Sequence, residues 1–303
     1  MSEEQNLNEE NVNENIPPPQ NIEPPESEIS KSDIPKSEKK MEVHHHPHVE
    51  KKNFKEYLLE FVMIFLAVTM GFFAENIREK SADGYKEKEY MHSMASDLQS
   101  DIAGMNRAIN YLTYVINGHD SLEAMLSEVS NKNDFEFYRK LYYANTVFTW
   151  NDASVVFTEA TISELKSSGS LRLIQNNALT DSILKYEDAK TNENAQHDYV
   201  KESISKTYFF ATDIFDISYY KKYNDFLNSS DYGNKTLIPY ENVKQYISEK
   251  PQLLTTDKTM IKKYIRLVNN EKDQMALYLF RVENTKGKAS KLLQQIQTQY
   301  RFQ

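Results

Sequence analysis

The chain has 303 residues and a formal charge of −9, and that charge is unevenly placed. Residues 1–50 hold 12 Asp and Glu against 4 Lys, whereas the rest of the chain holds 33 acids against 32 bases. A near-neutral body gives no argument for nucleic acid as a partner. Seven glycines weigh against glycine-rich phosphate loops and doubly wound nucleotide folds, and the absence of cysteine excludes disulfides and thiolate zinc sites.

Residues 1–50 carry seven of the nine prolines and no aromatic residue. Such a segment buries too little apolar surface to offset chain entropy, so it is predicted to be a disordered acidic tether. It ends in His44-His45-His46-Pro47-His48. Four imidazoles in five positions are chemically suited to Zn, Ni or Cu, so His44, His45, His46 and His48 are candidate metal ligands. With Lys51, Lys52 and Lys55 they also form a collar suited to anionic lipid headgroups.

The run from Phe61 to Ala74 contains no charge. Extended to residues 57–77 it reaches about 30 Å as a helix, one hydrocarbon thickness. It is predicted to be a transmembrane helix. Lys36, Lys39, Lys40, Lys51, Lys52 and Lys55 precede it; Arg78, Lys80, Lys86 and Lys88 follow. That bias predicts an inner-membrane protein with a cytoplasmic N-terminus and a periplasmic C-terminal body. Glu60, Ile64, Ala67, Gly71 and Ala74 share one face by their spacing. Ala67 and Gly71 form a small-xxx-small pair that suits packing against a second copy, and Glu60 is a candidate intramembrane carboxylate.

Residues 78–303 are predicted to be an all-α bundle domain. Met91, Met94, Leu98, Ile102, Met105, Ile109, Leu112 and Ile116 make one apolar stripe, a coiled-coil seam or the core face of a bundle helix. Gly118 is a plausible interruption, and Asn131 to Asp134 a turn. A second helix follows from Phe135, broken at Trp150. Asp152 is placed to cap a helix through Val155, Val156, Ile162 and Leu165, which ends at Gly169. Asn176 or Asn177 caps the next helix, predicted to run with breaks to Tyr219. Residues 222–255 read as irregular. A final long helix starts near Thr256 or Asp257 and continues past Gly287.

Little in the body suggests chemistry. His92, His119 and His197 are far apart in sequence and read as surface or boundary residues. Ser163 with Lys166, Ser182 with Lys185 and Ser203 with Lys206 match a Ser-x-x-Lys spacing, but three matches in one Ser- and Lys-rich chain indicate chance. No catalytic residue, enzyme activity or cofactor is predicted.

Glu60-Phe-Val-Met-Ile-Phe-Leu-Ala-Val-Thr-Met-Gly-Phe-Phe-Ala-Glu75-Asn76, with Glu87 to Tyr90 and Ser96 to Leu98, resembles a group of uncharacterised single-span membrane proteins of Bacteroidota. Glu164-Leu-Lys-Ser-Ser-Gly-Ser-Leu-Arg-Leu-Ile174, with Asp181 and Tyr186, is similar to a second block of that group. The likeness covers roughly residues 44–190. It implies a span, a long helix and a helical domain, and transfers no active site. The function expected is that of a membrane-anchored, non-enzymatic scaffold or interaction protein, binding an unknown protein partner or a second copy. The alternatives are a metal-responsive protein using the histidine cluster and an accessory subunit of an ion-coupled complex using Glu60.

Overall fold

The computed structural model describes residues 53–229 and 238–301. Contacts divide the chain into two units, Met1–Phe61 and Val62–Gln303. The packing described below lies within the second. The predicted tail and the histidine cluster lie outside the described residues.

The described residues form helices and no strand: α1 (Phe54–Glu128), α2 (Phe135–Thr149), α3 (Ala160–Ser167), α4 (Asn177–Ala211), α5 (Lys221–Ser229), α6 (Tyr240–Val243) and α7 (Lys258–Tyr300). The all-α prediction therefore holds. An isolated bridge pairs Phe215 with Leu253.

α1 runs for 75 residues without a proline. Its apolar part is long enough to cross a membrane, with a mean hydropathy of 2.1 over its best window, and none of that window is buried. From Glu87 onward the same helix becomes a core element. Its seam positions are Glu87, Met91, Met94, Leu98, Asp101, Met105, Ala108, Leu112, Val115, His119, Leu122 and Leu126, with Ala95 and Gly118 buried beside them. The spacing alternates between four and three, the 3.5-residue period of a left-handed coiled-coil seam.

α7 keeps the same alternation from Ile261 through Tyr264, Val268, Glu271, Met275, Tyr278 and Val282 to Ile296. α4 does so from Leu179 through Ile183, Tyr186, Lys190, Glu193 and His197 to Val200. Three long helices thus share one seam. Asn176 bonds Gln299 and Gln196 bonds Gln274, so α4 and α7 are antiparallel. Glu87 accepts from the Gln175 backbone and Asp101 from Tyr186, so α1 and α4 run in parallel. Each fully buried Leu or Val in the seam contributes about 1.5–3 kcal/mol.

Two apolar clusters fill the bundle. One is built on Met91 to Val115 of α1, with Leu179, Ile183, Met275, Val282 and Leu292. The other gathers Leu122, Leu126, Leu141, Tyr142, Phe148, Phe215, Tyr264 and Val268 where α2 joins the bundle. In the second cluster Tyr142 donates to the Gln252 carbonyl at 2.8 Å and accepts from the Asp216 backbone at 2.8 Å.

Several sequence expectations change. Gly118 does not interrupt α1; it lies beneath the Phe148 ring, where a side chain would not fit. Ile102, Ile109 and Ile116 are only partly buried flanks of the seam, and Asp101, Ala108 and Val115 take the seam positions. The other five residues of the predicted stripe, Met91, Met94, Leu98, Met105 and Leu112, do lie in the seam. Asp152 caps no helix, since residues 151–159 carry no regular structure and α3 starts only at Ala160. The β-branched Val155, Val156 and Thr158 disfavour helix there, and tertiary partners hold the segment instead. α4 is one unbroken helix to Ala211, and part of the irregular region is helical, as α5 and α6.

Other expectations hold. Gly169 adopts the left-handed conformation, φ 68°, after α3. Asn176 caps α4 through the Ala178 and Leu179 backbone N–H groups. Asp257 caps α7 in the same way through Thr259 and Met260.

Candidate functional site

The seam is not uniformly apolar. Ionisable side chains occupy positions that the coiled-coil period would give to Leu or Ile, and each such burial costs free energy unless it is compensated. They fall into layers along the bundle.

At its foot, Tyr300 donates to Glu87 at 2.6 Å and the Gln175 backbone N–H donates to the same oxygen at 3.0 Å. α1 is exposed or half-exposed from Val62 up to Lys86, just below this layer. Ten residues separate Ile77 from Glu87, about 15 Å of helix.

The middle layers are the most densely polar. Asp101 accepts from the Tyr186 hydroxyl at 2.7 Å and from the Thr158 backbone at 2.8 Å. Lys190 lies between Glu159 at 2.7 Å and Glu187 at 2.5 Å, and over the Phe157 and Tyr186 rings. Burial pulls the Lys190 pKa down, but its two carboxylate partners more than offset this and leave it raised. Glu193 is 1% exposed. Its Oε1 accepts from Tyr278 across a long 3.5 Å, and its Oε2 has no partner among the described residues. Burial pushes its carboxyl up to about 7, and Asp101 adds to the rise. One turn on, His197 meets Asp152 at 2.8 Å and stacks on the Tyr278 ring.

The last layer stands between the two apolar clusters. His119 Nε2 lies 3.4 Å from Glu271, with both side chains 0% exposed. His119 Nδ1 lies 2.8 Å from the Val115 carbonyl. Glu271 Oε2 has no partner among the described residues. Burial raises the Glu271 pKa, and His119 and Thr207 oppose the rise only in part.

No family model, curated protein or solved structure matches the chain.

Residues 151–159 form a strap across the bundle. Asp152 ties it to His197, Thr158 to Asp101 and Glu159 to Lys190, and Asn151 donates to the Thr146 and Val147 carbonyls of α2. A groove of about 700 Å³ lies between strap and α1, lined by Gly104, Arg107, Tyr111, Val155 and Val156 among others.

The residues singled out from sequence fall elsewhere. His44, His45, His46 and His48 lie outside the described residues, and among the described residues no group of three or more His, Asp or Glu is placed to hold a metal. Glu60, Ala67 and Gly71 are all exposed on α1, and a side chain at Gly71 would meet nothing within 4 Å. The three Ser-x-x-Lys pairs form no unit. Lys166 and Lys206 pair with Glu187 and Glu202, and the Ser182 and Ser203 hydroxyls donate to backbone carbonyls.

The sequence suggests a surface or boundary place for His119 and His197, and the structure buries both. Sequence reading also passes over Asp101, Lys190, Glu193 and Glu271. The missing signal was phase. The large apolar residues of α7 set a three-four alternation that runs through Glu271 whatever its chemistry, and α4 does the same for Lys190 and Glu193.

Proposed function

We propose that the chain is a membrane-anchored, non-enzymatic interaction protein with a single span at residues 57–77. The observation that carries this reading is the contrast along α1. Its apolar segment is wholly unburied, while the same helix from Glu87 onward is a packed seam element. So many large apolar side chains on one exposed stretch suit a lipid environment and not water. The lysine bias before the span supports a cytoplasmic N-terminus and a periplasmic body in a bacterial inner membrane. The resemblance to single-span proteins of Bacteroidota points the same way. The body, residues 78–303, presents a partner-binding surface through exposed apolar side chains such as Val156, Phe209, Leu277 and Phe280.

The test is made on the full chain in bacterial membranes. The body should resist alkaline extraction with the membrane and be cleaved by protease added to spheroplasts. Photo-crosslinking residues placed at Val156, Phe209, Leu277 and Phe280 should then trap discrete protein adducts. A chain released by alkali contradicts the anchor, protection in spheroplasts contradicts the orientation, and no adduct at any position contradicts the interaction role.

A further inference from the structure

Glu193 occupies a particular place among the buried charges. It is a carboxyl group in the seam with one oxygen unpartnered among the described residues and the other on a long contact. Its neighbours on α4 at positions −3 and +4 are Lys190 and His197, which share its helix face. Those two side chains hold the strap, through Glu159 and Asp152. The third tie, Asp101 to the Thr158 backbone, comes from α1, and Asp101 acts on Glu193 by charge. These three ties are therefore next to Glu193 on its own helix or face it from α1, while Asn151 at the start of the strap is held separately by α2.

The groups around it are of mixed sign. α1 presents Asp101, α7 presents Tyr278 and Thr285, and α4 itself supplies Lys190 and His197. The strap brings Asp152 and Glu159, both already engaged by those two side chains. Lys190 and His197 are thus committed to other carboxylates. An ionised Glu193 would face Asp101 inside the buried seam, where Thr285 and Tyr278 offset its burial only in part, whereas a protonated one is neutral and tolerates burial.

We propose that Glu193 is the proton-binding element of a latch. Protonated, it lets the seam close over it and keeps the strap seated. Ionised, it loosens α4 from α7 around it and frees residues 151–159 from the bundle. The sign follows from the direction of the shift. A carboxyl whose folded pKa is raised from 4.5 to about 7 contributes stability that is fully present below pH 4.5 and is lost as pH rises through about 7. The latch therefore closes in acid and opens towards mild alkali.

Hydrogen exchange on the full chain in lipid nanodiscs reads this directly. Between about pH 6 and about pH 8, after correction for intrinsic exchange, local opening of residues 186–200 and 151–159 should rise about tenfold. Glu193→Gln should abolish that rise, and Glu271→Gln should leave it in place. Equal protection at both pH values in the wild-type chain, or a rise that survives Glu193→Gln, would overturn the proposal. Should Glu193→Gln fail to fold, infrared difference spectra of the Glu271→Gln chain provide a second arm. A protonated carboxyl band present in acid and absent at about pH 8 supports the latch, and no such band in acid refutes it.

Discussion

The ring of Phe148 lies directly on Gly118, so close that a methyl group there would sit 2.1 Å from Cδ1 and 2.2 Å from Cε1. α2 can approach α1 at this level only because one position of the long helix has no side chain. Gly118 therefore contributes close packing, and the conformational freedom usually associated with glycine is not used. Gly118→Ala should destabilise the bundle by about 1–3 kcal/mol through overpacking. Combining it with Phe148→Leu should cost less than the sum of the two changes. Thermal unfolding of the four variants in a double-mutant cycle measures this, and strict additivity would refute the contact.

The His119–Glu271 pair gives a second expectation. Removing one member of a buried pair leaves a charge without compensation, at a cost of roughly 3–5 kcal/mol. His119→Leu should approach that figure at neutral pH. The loss should shrink as pH falls, because Glu271, already raised by burial, takes up a proton more readily still without His119. The double variant His119→Leu with Glu271→Leu should recover most of the stability. Urea unfolding across a pH series tests both points.

These two sites show what the sequence allowed and what it withheld. Helix class, the cap at Asn176, the left-handed Gly169 and the start of α7 at Asp257 rest on local chemistry, and local chemistry was visible. Met91, Met94, Leu98, Met105 and Leu112 of the predicted stripe lie in the seam, but three places were off by one residue because Ile102, Ile109 and Ile116 are more apolar than Asp101, Ala108 and Val115. The tertiary structure chose the less apolar set, with Tyr186 and the Thr158 backbone compensating Asp101. Val155 and Val156 lie in a strap rather than a helix because its ties come from residues far away in sequence. Gly118 read as a break because nothing nearby in sequence announces Phe148.

Asp101 should therefore matter more than its polar character suggested. Asp101→Ala removes a charge-assisted bond to Tyr186 and a backbone tie at Thr158, worth about 1.5–3 kcal/mol for a hydrogen bond to a charged group. The strap should become the first site of limited proteolysis. Tyr186→Phe should be milder, since it leaves the Thr158 tie intact. Cleavage rates within residues 151–159, compared across the two variants, check the ranking.

Gly71 offers the opposite case to Gly118. Nothing lies within 4 Å of a side chain placed there. Gly71→Leu should leave the melting temperature of the bundle unchanged. If Ala67 and Gly71 form the contact with a second copy, the same change should remove self-association of the span, because close helix approach requires small residues. Chemical crosslinking in native membranes reads the second effect, and an undiminished dimer would remove this face from consideration.

We propose that one helix changes surroundings along its length, from lipid to a protein seam. The chain has no cysteine, so single cysteines can be introduced without background. Positions 62–98 should be scanned in native membranes with a membrane-impermeant maleimide. Protection should be continuous around the helix through residue 77. It should lapse over 78–86 and return at 87, 91, 94 and 98, with labelling at 88, 89 and 92. Seam-like periodicity within residues 62–77, or free labelling there, would mean that the apolar segment packs against protein or water instead of lipid, and would contradict the anchor.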